Sequence, residues 1–247
     1  KKKPADSEIG APKSQFELDL EKEIDTFVEG LELDEDPSRA ALQSPKLKRQ
    51  KIKLELKEAT KLPELFQPVN SGIEVIFSEG SKYLSAEDYN TLIVDLAIST
   101  EHLAEFGIEE TSENDLQTIA GISDASIKSL EIMAVAKFEE ERYQDSLGLL
   151  CLLSILVPGY SEYWFRLGIA AQRCENFGLA SKAYGITLDL DPENIGARLF
   201  AAQCFIERSL IDDAKAEIGM AKEHIKNGGV DKVWLDFLLV IESTITA

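Results

Sequence analysis

From residue 127 onward the apolar positions recur with a helical period, and that pattern itself recurs every 34 residues. The step aligns Ala134, Gly168 and Ala202, then Met133, Leu167 and Ala201, then Ser146, Ala180 and Ala214. It also aligns Leu150, Tyr184 and Ile218, and sets Pro158 beside Pro192. Small residues at a fixed phase mark helix crossings, large apolar ones fill the space between, and proline ends each pair. The prediction is an all-α fold with three helical hairpins over 127–160, 161–194 and 195–228. A hairpin cannot bury its apolar face alone, so the stack needs a cap at each end. VDKVWLDFLLVIESTIT, within 229–247, carries Val233, Trp234, Phe237, Leu238 and Ile241 and predicts the C-terminal capping helix. NDLQTIAGI, entered through TSEND, predicts the cap at the other end.

Upstream the pattern changes character. SQFELDLEKEIDTFVEGLELDED has apolar residues at 16, 20, 24, 27, 28 and 31, an amphipathic helix with an acidic outer face. PKLKRQKIKLELKEATK follows, a basic run that reads as a solvated helix face pairing with neighbouring Glu, or as a lure for an acidic partner. KLPELFQPVNSG reads as extended, because proline fixes φ and biases its neighbours away from the helical region. GIEVIF after it is short and β-prone. LSAEDYNTLIVDLAISTEHLAEFG opens on a capping box, Ser85 to Asp88, and stops at Gly107. With Tyr89, Leu92, Ile93, Leu96, Leu103 and Phe106 on one face, it is predicted to pack against the first hairpin. The organisation is thus an extension over 1–72, a helical cap over 73–126, hairpins over 127–228 and a last helix over 229–247.

Charge narrows the partners. The formal net charge is −19, which disfavours nucleic acid and anionic membrane surfaces and suits apolar or basic partners. Residues 127–247 hold 12 basic and 18 acidic groups, so most of the excess lies before them. No apolar run of about 18 residues is present, so no membrane insertion is expected. KKKPADSEIG lacks the apolar core of a signal peptide, and the missing Met reads as trimming. Cys151, Cys174 and Cys204 are odd in number and embedded in helical patterns, as free thiols of a reducing cytoplasm would be. His102 and His224 lie on separate helices, with no nucleophile elbow, metal signature or phosphate loop near them. The reading is therefore non-enzymatic, with no catalytic residue, metal or cofactor.

The middle unit, SEYWFRLGIAAQRCENFGLASKAYGITLDLDPEN, resembles the tetratricopeptide repeat through Trp164, Leu167, Gly168, Ala180, Tyr184 and Pro192. The wider stretch AGISDASIKSLEIMAVAKFEEERYQDSLGLLCLLSILVPGYSEYWFRLGIAAQRCENFGLASKAYGI, with RLFAAQCFIERSLIDDAKAEIGMAKEHI, resembles the class II chaperones of type III secretion, over about 112–228. That resemblance implies a cytoplasmic protein that keeps a pore-forming translocator soluble by holding an extended P-x-L-x-x-P segment in a concave groove. The groove residues would be Val135 and Phe138, then Phe165, Arg166, Ile169 and Arg173, then Leu199, Phe200, Gln203 and Ile206. Apolar pockets give such a site affinity, and polar side chains meet the unpaired backbone of the guest. PELFQP fits the same motif through Pro63, Leu65 and Pro68, so the segment is either a linker or a ligand-like strand. As a ligand it would lie in the chain's own groove, dock into a neighbour, or be a joined client fragment. The family's arm is short and often mediates dimerisation; this longer one leaves a homodimer or an arm exchange open. The alternative function is a scaffold joining two folded proteins in a secretion assembly.

Overall fold

The computed structural model describes residues 63–105, 116–226, 228 and 231–246. The chain divides into two units, 1–64 and 65–247, and the second is described here. The acidic and basic helices predicted between residues 14 and 61 lie outside the described residues, as do TSEND, Phe106 and the stop at Gly107.

All regular structure among the described residues is helical. In chain order the helices are α1 (Pro63–Tyr83), α2 (Ala86–Glu105), the short α3 (Leu116–Ala120), α4 (Asp124–Glu139) and α5 (Tyr143–Leu156). They continue as α6 (Ser161–Arg173), α7 (Phe177–Leu190), α8 (Ile195–Glu207), α9 (Ile211–Lys226) and α10 (Lys232–Thr246). The pairs α4/α5, α6/α7 and α8/α9 are the three predicted hairpins; each packs on the next, and α10 closes the stack against α8 and α9.

The side-chain period is also a backbone period. Glu141, Glu175 and Ser209, 34 residues apart, have φ of 61°, 59° and 60°. At each, that residue's N–H reaches the carbonyl three back (Phe138, Gln172, Ile206), and the next N–H reaches five back (Lys137, Ala171, Phe205). This is the Schellman closure of a helix C-terminus, made here without glycine. Chain reversal is thus identical in all three units, and it carries α4, α6 and α8 to equivalent places.

The first hairpin differs in one respect. Every residue from Ser146 to Ser154 in α5 is buried, so this helix is covered on all sides. The extra cover is α1. Gly148 and Gly72 bring the two backbones into contact: a Cβ on Gly148 would lie 2.4 Å from the Pro68 carbonyl oxygen and 2.6 Å from the Gly72 nitrogen.

PELFQP therefore corrects the sequence reading, because Pro63–Pro68 forms the first turns of α1 and is neither a linker nor an extended ligand. GIEVIF is likewise helical, not β. Pro63 falls in the first turn, where its missing N–H costs nothing, while Pro68 forfeits one helical bond. Against that loss, Leu65, Val75 and Ile76 become buried, each worth about 1.5–3 kcal/mol. Burial wins.

Polar contacts lock the far end of α1. Glu79 accepts from both Arg142 guanidinium nitrogens at 2.7 and 2.8 Å and from Lys137 Nζ at 2.9 Å. Arg142 first, then Lys137, hold the Glu79 carboxyl well below the usual range. Lys137, whose side chain is wholly buried, also donates to the Tyr83 hydroxyl at 2.8 Å, and Tyr83 donates to Glu140. Buried charge persists only when paired in this way.

Helix α2 begins with the predicted cap, Asp88 N–H donating to Ser85 Oγ at 3.1 Å, and packs on α4. Its Asp95 accepts from Ser123 N–H, Ser123 Oγ and Ser126 Oγ at 2.9, 2.5 and 2.6 Å, tying down the start of α4. At the other end Leu238 and Ile241 of α10 join Leu199, Ala202, Ile218 and Ala221 in one core, whereas Val233, predicted on that face, is exposed.

Candidate peptide-binding groove

The inner helices of the hairpins are α4, α6 and α8, and each carries residues predicted to face a groove. Between α4 and α6 lies a cavity of about 330 Å³. Val135, Phe138, Arg166 and Ile169, four of the ten predicted groove residues, line it together with Ala134, Leu150 and the rim residue Glu139. The wall is apolar because its polar groups are already engaged. Ser146 Oγ donates to the Ala134 carbonyl at 2.8 Å, and Arg166 Nε to Glu162 at 2.7 Å. Phe138 is braced edge-on by Tyr143, ring centroids 5.1 Å apart, so the cavity wall is held in place. A space of this size suits one or two anchoring side chains.

Further along, the predicted residues divide. Phe165 and Phe200 lie 6.0 Å apart, centroid to centroid, over the buried Tyr184. The Tyr184 hydroxyl donates to Gln172 Oε1 at 2.9 Å, and Gln172 Nε2 donates to Gln203 Oε1 at 2.8 Å. Gln203 is thus the end of a polar ladder between α6 and α8. Arg173 stands at the hairpin turns, 5.8 Å over the Tyr143 ring, and lines a separate polar cleft of about 450 Å³ with Arg142 and Glu175.

Two predicted groove residues belong to the terminal core instead. Leu199 is 0% exposed and sits in the terminal core; Ile206 packs against that same core. There α10 packs on α8 in the place where an interior unit would meet the next hairpin, and its Leu238 and Ile241 enclose Leu199. Sequence reasoning also missed Leu150 and Ala134 in the cavity wall, and the Trp234 and Phe237 rings beside Phe200, at 5.9 and 5.2 Å. Trp234 and Phe237 were legible as a cap but not as neighbours of Phe200.

No protein-family model matches the chain, and no curated protein does. Solved structures do match. A chain of the CopN–Scc3 complex aligns over 63% of this chain and 97% of its own, at a TM-score of 0.50 and 18% identity. The two share a fold. The Yersinia enterocolitica type III secretion translocator chaperone SycD aligns over 55% of this chain and 98% of its own, at 0.46 and 18%. PcrH from Pseudomonas aeruginosa aligns over 51% and 96%, at 0.47 and 16%.

Among the described residues no helix is long and apolar enough to cross a membrane, and no group of His, Cys, Asp or Glu is placed to hold a metal ion.

Proposed function

We propose that this protein is a cytoplasmic chaperone of the type III secretion translocator class, holding an extended segment of its client in the trough of α4, α6 and α8. One observation carries the reading: the open apolar cavity between α4 and α6, built by Val135, Phe138 and Ile169 on two successive inner helices. It offers a leucine-sized anchor a dry wall, while Glu139 and Arg166 at its margin can meet the guest's backbone and flanking charges. The resemblance of residues 112–228 to class II chaperones supplies the partner, a translocator read through P-x-L-x-x-P. The repeated hairpins fix the trough beforehand, so binding orders only the guest, and its prolines reduce even that entropic cost.

The test is titration calorimetry with a short synthetic P-x-L-x-x-P peptide. Ile169→Asp puts a charge on the cavity wall and is expected to weaken binding at least tenfold, without lowering the melting temperature by more than a few degrees. Val135→Asp, at a position 42% exposed, should do the same at even less cost to folding. Unchanged affinity in both folded variants would remove the cavity from the binding site.

A further inference from the structure

We propose that the client site continues past the third hairpin onto α10, where Phe165, Phe200, Trp234 and Phe237 form a platform for a second proline of the same client segment, with a lysine or arginine beside it. This rests on the peptide-binding reading above and extends it to a helix that sequence reasoning treated only as a cap.

The rings make one connected surface across α6, α8 and α10. Phe200 lies between Phe165 on one side, at 6.0 Å, and Trp234 and Phe237 on the other, and the last two are 6.5 Å apart. All four are partly exposed. Gly196 permits the row to close: a Cβ there would meet Trp234 Cη2 at 2.8 Å and Phe165 Cζ at 3.1 Å. The wholly buried Tyr184 supports the row from beneath, its ring stacked 5.8 Å from Phe200. The surface is therefore prearranged.

Trp234 and Phe237 pack against the terminal core that holds Leu238 and Ile241, yet each keeps part of its ring exposed. The two tryptophans differ in a telling way. The Trp164 indole N–H donates to the Pro158 carbonyl at 2.8 Å, whereas that of Trp234 has no acceptor among the described residues. A partly exposed ring face with a free donor at its edge matches what proline-rich segments use: the pyrrolidine lies on the ring and a guest carbonyl takes the N–H. Charge selects the flanking residue. Aromatic faces attract cations, Asp231 just before α10 and Asp236 on it are exposed, and the whole chain carries −19.

Spacing follows from packing. The cavity lies between α4 and α6 and the platform centres on α8 and α10, two inner helices further on. At roughly 10 Å per helix and about 3.3 Å per extended residue, the two anchors stand about six residues apart.

The experiment uses the full chain and three peptides: the short P-x-L-x-x-P probe, and two that continue it, at one end or the other, through a neutral spacer to Lys-Pro. One continued peptide is expected to bind at least tenfold more tightly than the short one. Trp234→Leu should erase that gain and leave the short peptide's affinity unchanged. In Trp164→Phe, where Trp234 is the only indole, the emission should shift with the continued peptide and not with the short one; this readout holds even if Trp234→Leu folds poorly. Short-peptide binding with no gain from either continuation overturns the platform alone. A gain that survives Trp234→Leu with silent Trp234 emission overturns it too. No binding by any peptide overturns both readings.

Discussion

Gly148→Ala tests the packing that seats α1 on the first hairpin. The added methyl would lie 2.4 Å from the Pro68 oxygen, 2.6 Å from the Gly72 nitrogen and 2.9 Å from Gly72 Cα. All three are backbone atoms of another helix, so no side chain can swing aside. Restoring ordinary contact moves the helices apart by roughly 1 Å, a gap that forfeits a quarter to a half of each dispersion contact it opens. Overpacking of this kind costs about 1–3 kcal/mol, and the alanine returns at most about 1 kcal/mol of helix propensity. A net loss of about 1–2 kcal/mol is expected in urea unfolding, with faster hydrogen exchange confined first to the amides of α1. Gly185→Ala and Gly219→Ala are the controls, since nothing lies within 4 Å of a Cβ at either site. Both stand in exposed helix interiors and should gain up to about 1 kcal/mol. If Gly148→Ala matches those controls, or α1 exchanges as before, the close crossing does not hold α1 in place.

Two further outcomes follow from titrating groups. Burial alone would raise the Asp95 carboxyl, but hydrogen bonds from Ser123 and Ser126 outweigh it, so the group titrates below 3.8. Its stabilising effect is complete above the unfolded value and fades as pH falls through the folded one. Asp95→Asn should therefore be destabilised most near neutral pH, and its gap from the wild type in thermal unfolding should narrow as pH falls below the ordinary Asp range; a gap independent of pH refutes this. Burial also pushes the Cys151 and Cys204 thiols up to about 12 and raises Cys174, which is only partly buried. A disulfide reagent at pH 8 should label one thiol readily in the native protein and all three after unfolding; three equal native rates would contradict it.

The hairpins and the capping helix α10 were legible in the sequence, whereas the helical state of residues 63–77 and the burial of Leu199 were not. A 34-residue step places Val135 and Ile169 on equivalent turns of α4 and α6, so knowing one inner face reveals the next. The same step failed at Leu199, because α8 has α10 beside it in place of another complete hairpin. The error at α1 has a similar origin. Two prolines and a β-branched run dominate any short window over 63–77, while the helical signal is spread thinly over Leu65, Gly72, Val75, Ile76, Glu79 and Tyr83. A second clue lay 80 residues away in SLGLLCLLS, which is apolar on every side and so demands a cover beyond its own hairpin.

Periodicity thus reports what repeated units do to each other, and each end is closed by a helix outside the repeats. The placement of α1 has a functional consequence. It lies against α5, the outer helix of its hairpin, with Glu79 and Tyr83 joined to Lys137, Glu140 and Arg142 near the turn. No described residue of α1 lines the cavity beside Val135 and Ile169, which is open without the release of that helix. A charge at Leu65 would not expose a guest site but would weaken the seating of α1, because that side chain is 1% exposed. Leu65→Asp should then lower stability and leave short-peptide affinity in the folded fraction unchanged. Tighter binding by this variant, with its melting temperature preserved, would instead mean that the first turns of α1 leave α5 and compete for the trough.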